Sequence, residues 1–268
     1  MIYCIVTIFS TKINSIRYDS LNKFINTFDY PNTQLKIIEL AYGSQPFMTN
    51  ADFKIRTSKP LWHKENLINV AISKLPKDWK YVAWLDADIY FENKNWASEA
   101  IESIDNDYIF CQPFTHCINY NQNKIMYIVQ SFSNKVVTNS NDIYHTGYVW
   151  ITNRKTYDYL GKLFDLNIYG SGDFDIAHAL IGKINDFYPE FVKNQLYLYN
   201  GIKVITLSGI VKHFEEDKEQ HKRYKEMSLY MKFLKENHIQ YINMIIQPTN
   251  DFPLMIYQNI LDYYSIRI

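Results

Sequence analysis

The sequence has no surplus charge: 28 Lys and Arg balance 28 Asp and Glu over 268 residues. A balanced chain offers no electrostatic footprint for nucleic acid or an anionic membrane as its main partner. Long hydrophobic runs are also missing, and none reaches the roughly 20 apolar residues that span a bilayer. Cysteine is sparse and scattered. Cys4, Cys111 and Cys117 are an odd number with no Cys-x-x-Cys spacing, so they make neither a disulfide framework nor a zinc site. That usage fits a reducing compartment, and a cytoplasmic setting is expected. Asn is abundant, yet no Asn-x-Ser/Thr acceptor occurs, which weighs against a eukaryotic secretory lumen. No repeat, low-complexity tract or Pro/Gly/Ser-rich linker divides the chain. The apolar start, Met1 to Phe9, lacks a basic lead-in and a small-residue cleavage site. It is expected as a strand rather than a signal peptide.

What is present describes a globular protein. Hydrophobic residues make up 47% and charged ones 21%, outside the range of disordered chains. A length of 268 residues allows a full core, as one large domain or two small ones. Ile, Asn, Lys and Tyr abound, the usage of an AT-rich genome. Strand and helix signals alternate. Apolar runs at Ile2–Phe9, Leu35–Tyr42, Tyr81–Phe91, Tyr108–Phe114, Thr146–Thr152, Val204–Leu207 and Ile210–Phe214 predict strands. Helical spacing links Leu21, Ile25 and Phe28, then a helix opened by Pro60 and stopped by Pro76, then Ala97–Ile104, Tyr157–Phe164 and Ala177–Ile184. A charged amphipathic helix is expected around Tyr224 to Leu234, and a helical, aromatic tail over Phe252–Ile268. The polar stretch 115–145 has no clear period, and a loop of that length is expected to order over a ligand. Alternating strands and helices predict an α/β fold with a mainly parallel mixed sheet, whose ligands bind outside the strands' carboxyl ends.

Asp86-Ala87-Asp88 sits late in the strongest strand signal. On a continuous strand, residues i and i+2 share a face roughly 7 Å apart. Two carboxylates on an apolar strand repel unless a cation joins them. Oxygen ligands suit Mg²⁺ or Mn²⁺, and such an ion can hold a diphosphate. The alternative is a pair of exposed acids at a strand end. The unbroken hydrophobic flanks favour the metal reading.

With that motif in place, the chain resembles glycosyltransferases of the GT-A fold, most of all a glycosyltransferase-like group of bacteria and large viruses. The resemblance rests on Ile-Val-Thr-Ile-Phe-Ser (5–10), Ile-Ile-Glu-Leu-Ala-Tyr-Gly (37–43), Leu-Trp-His-Lys-Glu-Asn-Leu-Ile-Asn (61–69) and Ala-Trp-Leu-Asp-Ala-Asp-Ile-Tyr-Phe (83–91). Cys-Gln-Pro-Phe (111–114), Gly-Tyr-Val-Trp (147–150), residues 170–182 and Lys-His-Phe (212–214) continue it in order. It spans nearly the whole chain and implies one GT-A-like domain over 1–268. Within it, 1–115 would hold the nucleotide-sugar and metal, 146–216 the acceptor, and 217–268 a helical closure. One departure stands out. The group's closing segment often reads His-x-x-His-Gly, whereas here Lys212-His213-Phe214-Glu215 has one His and no Gly.

The resemblance implies transfer of a sugar from a nucleotide-sugar, of the uridine diphosphate kind, to a hydroxyl acceptor on a glycan or protein. Asp88 would bind the metal, Asp86 would be shared between metal and ribose, and His213 would complete the protein ligands. A neutral imidazole suits Mn²⁺ better than Mg²⁺. Lys64 is set to meet a phosphate, or else a neighbouring acid. Glu39, Asn69 and Thr7 are expected near the nucleoside, with ordinary strand-end or helix-face roles as the alternative. Asp173 would contact the acceptor hydroxyl or act as the base of an inverting transfer. It reads equally as an N-cap, and a helix N-terminus favours the carboxylate form, which counts against a base. Gly172 and Asp175 would line the acceptor site, and Trp150 and Tyr148 would stack on a sugar, unless they are core. Two other readings stay open: a non-catalytic nucleotide-sugar or glycan binder on the same fold, and a nucleotidyltransferase. The latter ranks last because no Gly-rich basic loop follows the first strand. A second copy of the chain could dock through the aromatic tail.

Overall fold

The computed structural model describes residues 1–10, 15–57, 62–104, 107–166, 170–186, 188, 190–214, 246–249 and 252–257. The chain opens with β1 (Ile2–Ser10), α1 (Ser15–Thr27), β2 (Thr33–Tyr42) and β3 (Phe53–Thr57). Next come α2 (Lys64–Ser73), β4 (Tyr81–Leu85), β5 (Ile89–Phe91), α3 (Trp96–Ser103) and β6 (Ile109–Gln112). The middle holds β7 (His116–Asn121), β8 (Lys124–Ser131), α4 (Phe132–Thr138), β9 (Tyr144–His145) and β10 (Val149–Asn153). Then follow α5 (Arg154–Leu160), α6 (Gly172–Leu180), α7 (Glu190–Tyr197), β11 (Lys203–Thr206) and β12 (Ile210–Phe214). A separate pair, β13 (Ile246–Thr249) and β14 (Phe252–Tyr257), is antiparallel.

Seven strands form the main sheet in the order β11-β6-β10-β4-β1-β2-β3. Neighbours run parallel except at β10, which lies antiparallel to both β4 and β6. This is the expected mainly parallel α/β sheet. β1 is an inner strand beside the central β4, and its alternation explains the layering. Tyr3, Ile5 and Phe9 face one core with α2, α6 and α7; Ile2, Cys4, Val6 and Ile8 face the other with α1 and α3. Both faces are covered, so the strand reads as a continuous apolar run rather than an alternating one. All three cysteines are buried and free, and burial pushes the Cys117 thiol up to about 12.

Several elements differ from expectation. Tyr81–Phe91 is not one strand: it breaks after Leu85, and β5 belongs to a second sheet of order β5-β12-β7-β8-β9. The presumed long loop 115–145 is a hairpin, a short helix and a strand. Its turn, Gln122-Asn123, takes left-handed φ of 48° and 62°, a conformation Asn tolerates and a two-residue hairpin needs. β3 and α7 lay hidden in polar sequence. Helix α2 begins at Lys64 with His63 as N-cap; residues 58–61, with Pro60, lie outside the described residues. So does the helix expected at Tyr224–Leu234. The tail segment Phe252–Tyr257 is strand rather than helix. No helix among the described residues is long and apolar enough to cross a membrane.

One buried side chain ties the middle of the chain together. Gln112, fully buried at the end of β6, donates to the carbonyls of Gly147 (3.1 Å) and Thr146 (3.5 Å), and accepts from the Ser133 amide (2.9 Å). Gln112→Leu leaves those groups buried and unpaired, so it should cost about 3 kcal/mol. Urea unfolding should show a lower midpoint with an unchanged slope.

Candidate active site

The break after Leu85 creates the site. Asp86, Ala87 and Asp88 carry the chain from the main sheet to the small one, at the carboxyl end of β4. Backbone bonds pin both ends of the crossing: the Asp86 amide donates to the Tyr148 carbonyl (2.9 Å), and the Phe214 amide donates to the Asp88 carbonyl (3.0 Å). Because the motif is a turn rather than a strand, the two carboxylates do not share a face as expected. The Asp86 carboxylate turns to Lys64 Nζ at 2.5 Å. The Asp88 carboxylate turns to His213 Nε2 at 3.4 Å.

His213 is oriented from behind. Asn119 Oδ1 accepts from the Tyr148 hydroxyl (2.7 Å) and lies 2.8 Å from His213 Nδ1. An amide oxygen only accepts, so Nδ1 carries the hydrogen and Nε2 is the atom turned to Asp88. Burial works to raise the Asp88 carboxyl, but the charge and hydrogen bond of His213 outweigh it and hold it below the usual range. Two buried atoms at this spot have no protein partner: Asp88 Oδ1 and Asn119 Nδ2. An orphaned carboxylate oxygen beside an imidazole nitrogen is a donor set that fits a divalent cation. Among the described residues no group of three or more His, Cys, Asp and Glu forms a metal cage, and Asp86 is paired with Lys64. A two-ligand site of this kind suits ions that keep open positions for water and substrate phosphates.

A second cluster lies beside the first. Burial would lower the Lys64 ammonium, yet Asp86, Asp173 and Glu65 together raise it above its ordinary value. Glu65 is buried, and desolvation together with Asp173 pushes its carboxyl up to about 8 against the pull of Lys64. Gly172 is required here: a Cβ would lie 2.5 Å from Glu65 Cδ. Gly147 is equally constrained, since a Cβ would meet Asp173 Oδ2 at 2.6 Å and His145 Cε1 at 2.9 Å. Asp173 accepts from the Thr146 hydroxyl at 3.2 Å. It is not the N-cap; Ser171 is, with φ of 64°, and Asp173 lies inside the first turn of α6.

The remaining expected site residues go elsewhere. Both Glu39 oxygens accept from the 48–49 segment, from the Met48 amide (2.6 Å) and the Thr49 amide and hydroxyl (3.0 and 2.7 Å). Asn69 bonds Leu163, Asp165 and Tyr157, tying α2 to α5 and the loop after it. Asp175 accepts from the Tyr188 hydroxyl (2.8 Å). Trp150 is core: it donates to the Thr146 carbonyl (2.7 Å) and packs edge-on against Phe110. It presents no face to a sugar, because β10 is an inner strand covered on both sides. Thr7 sits half-buried on β1, paired with Ile38. Tyr148, also set to stack on a sugar, is buried between His145 (4.1 Å) and His213 (5.0 Å).

Three contributors were missed: Glu65, His145 and the backbone at Tyr148. Tyr148 holds φ of 74°, costly for a bulky residue and characteristic of sites where surrounding structure imposes geometry. Burial lowers the His145 imidazole, partly offset by Asp173 and Asp86. The Thr-Gly-Tyr run was the available signal, since a glycine before a strand marks close backbone approach.

No protein-family model and no curated protein matches the sequence. Solved structures do match. The structure of GalNAc-T7 with UDP, GalNAc and Mn²⁺ superimposes with a TM-score of 0.50 at 12% identity, over 80% of this chain and 43% of that one. The fold is of the GT-A type. S. aureus TarS (TM-score 0.44, 11% identity, 80% and 60% covered) and Drosophila beta1,4galactosyltransferase 7 with xylobiose (0.36, 11%, 78% and 67%) are more distant. The chain spans less than half the length of GalNAc-T7.

The raised Glu65 carboxyl has a measurable consequence. Its folded value of about 8 exceeds the unfolded 4.5, so the folded state holds the proton more tightly. That contribution is complete below pH 4.5 and is lost as pH rises toward 8. Glu65→Gln should therefore flatten the fall in stability across this window. Melting temperatures of both proteins measured across it check the slope.

Proposed function

We propose that the protein is a metal-dependent glycosyltransferase that moves a sugar from a uridine diphosphate sugar to a hydroxyl acceptor. One observation carries this reading. At the carboxyl end of β4, Asp88 and His213 converge with a buried, unpartnered carboxylate oxygen between the two sheets of a GT-A-type fold. Support also comes from GalNAc-T7, whose structure contains UDP, GalNAc and Mn²⁺.

Asp88 and His213 would hold the ion, Mn²⁺ in preference to Mg²⁺ because of the imidazole. When bound, it supplies positive charge against a leaving diphosphate. The rest falls to the chain itself. Lys64, half-buried against Asp86, is a fixed cation beside the same strand end, suited to phosphate charge. Asp173, steadied by Thr146, is the carboxylate available to orient an acceptor hydroxyl or take its proton. Glu65, protonated at neutral pH, adds no second negative charge beside it. Such a site works mainly by positioning and preorganised charge. The binder reading has one observation in its favour: Lys64 occupies Asp86, leaving two protein ligands for the metal rather than three.

The test is a donor-hydrolysis screen over nucleotide-sugars with Mn²⁺. Turnover should vanish with chelator, return with Mn²⁺, and fall at least about 100-fold in Asp88→Asn. Metal-independent turnover in that variant would sink the proposal, and tight nucleotide-sugar binding without hydrolysis would favour the binder. Because protons compete with the ion for imidazole and carboxylate ligands, Mn²⁺ affinity measured by calorimetry should also weaken as pH is lowered.

A further inference from the structure

The wall beside Asp173 continues outward as a braced aromatic surface. Residues 144–147 run along the first turns of α6. The Thr146 hydroxyl and Gly147 meet Asp173, and one turn further the Tyr144 hydroxyl meets His178 Nε2 at 3.1 Å. His178 Nδ1 lies 2.8 Å from the Phe174 carbonyl, which can only accept. Nδ1 therefore carries the hydrogen, and Nε2 accepts from Tyr144. These two bonds fix the imidazole, and the Phe174 ring packs on it with centroids 3.9 Å apart. Tyr144 is held in turn by Phe132 (5.6 Å between rings) and by Lys135 Nζ, 5.2 Å from its ring. Despite this bracing, Phe174 is 50% exposed. A scattered exposed ring needs no explanation. This one is fixed from behind and stands one residue from the carboxylate that faces the site.

The polar groups at the inner edge of this wall select the ligand. His145 and Asp173 both border the space beside Gly147. The Gly147 amide donates to His145 Nδ1 (2.9 Å), so in the neutral ring Nε2 carries the hydrogen and serves as a donor. Asp173 accepts from Thr146 through Oδ2, and its carboxylate has further lone pairs with which to accept. An N–H donor, a carboxylate acceptor and an aromatic face in one wall match a pyranose. Its hydroxyls both donate and accept, and its C–H face is apolar. A serine or threonine side chain brings one hydroxyl and no ring for Phe174 to cover. An anionic acceptor would approach the Asp173 carboxylate at an electrostatic cost.

We propose that Phe174, braced by His178 and Tyr144, is the platform on which the acceptor's sugar ring lies, with its hydroxyls turned to Asp173 and His145. The acceptor is then a saccharide rather than a peptide hydroxyl. This deepens the transferase reading and rests on it for the acceptor's role. The platform replaces the sugar contacts expected from the sequence, because Trp150 and Tyr148 are buried whereas Phe174 is half exposed.

Saturation-transfer NMR on the full chain tests it, with Mn²⁺ and uridine diphosphate present and again without them. The probes are the methyl glycosides of glucose, galactose and N-acetylglucosamine, with N-acetylserine amide as the peptide-like hydroxyl. At least one glycoside should bind in roughly the millimolar range, with saturation strongest on the protons of its apolar face. Phe174→Ala should weaken it about tenfold, and Phe174→Leu, which keeps bulk without a flat face, about threefold. Phe174→Trp should bind at least as well as the wild type. Tyr108→Ala removes another exposed ring, at the opposite end of the sheet, and should change nothing. If circular dichroism shows Phe174→Ala unfolded, Phe174→Leu decides. No glycoside binding at about 50 mM overturns the proposal. So does binding unchanged in the folded Phe174 variants, or N-acetylserine amide binding tighter than every glycoside. Donor hydrolysis by the wild type reports separately on the transferase reading. Its absence, with sugar binding that depends on Phe174, counts against transfer alone. Its presence, with no glycoside binding, counts against the platform alone.

Discussion

The crossing at Asp86–Asp88 is the constraint on which the rest depends. A single apolar run has to serve two sheets, and it does so by breaking at three residues. Two of the three are carboxylates, whose side chains emerge where the two sheets part, while Ala87 packs against the core. The break is enforced from both sides, by the Tyr148 carbonyl on one and the Phe214 amide on the other. Once it exists, two carboxylates stand at the carboxyl end of the central sheet with different partners, Lys64 and His213. Everything catalytic in the proposal follows from that divergence.

The surrounding structure is organised to keep the crossing rigid. Gln112 anchors the 146–147 backbone, Asn119 orients both Tyr148 and His213, and Tyr148 accepts a left-handed backbone to reach them. Two glycines make room for acids: Gly172 for Glu65 and Gly147 for Asp173. The result is a dense patch of Asp86, Glu65 and Asp173 around one half-buried ammonium. Such a patch cannot ionise fully, and Glu65 is the member that keeps its proton. A preorganised arrangement of this kind costs stability at high pH and gains fixed geometry.

Much of the frame was legible. β1, β2, β10 and β12 announced themselves because buried strands need β-branched and aromatic runs. α1, α3 and α6 showed their apolar faces for the same reason. β8 escaped because much of it is exposed: Ile125, Met126, Tyr127 and Ile128 all lie at the surface, so no alternation marks a buried side. β3 alternates with Lys54 and Arg56 at a sheet edge, where charge blurs the pattern. Glu39 and Asn69 were expected near the nucleoside through the resemblance; in the fold each satisfies a loop backbone nearby.

The sequence by itself determined that the chain folds, that its strands alternate with helices, and that a pair of aspartates ends a core run. Those properties follow from local periodicity and burial, which a sequence writes out directly. Only the tertiary structure decided which aspartate meets which partner, that Glu65 belongs to the site, and that the run splits between two sheets. These depend on contacts between segments far apart in sequence, such as Lys64 with Asp86 and Asp88 with His213. Their geometry is set by strand register and close glycine approach, which leave no trace in any single stretch of sequence. The zero net charge is a case in point: it is an average that contains a strongly acidic pocket folded around a lysine.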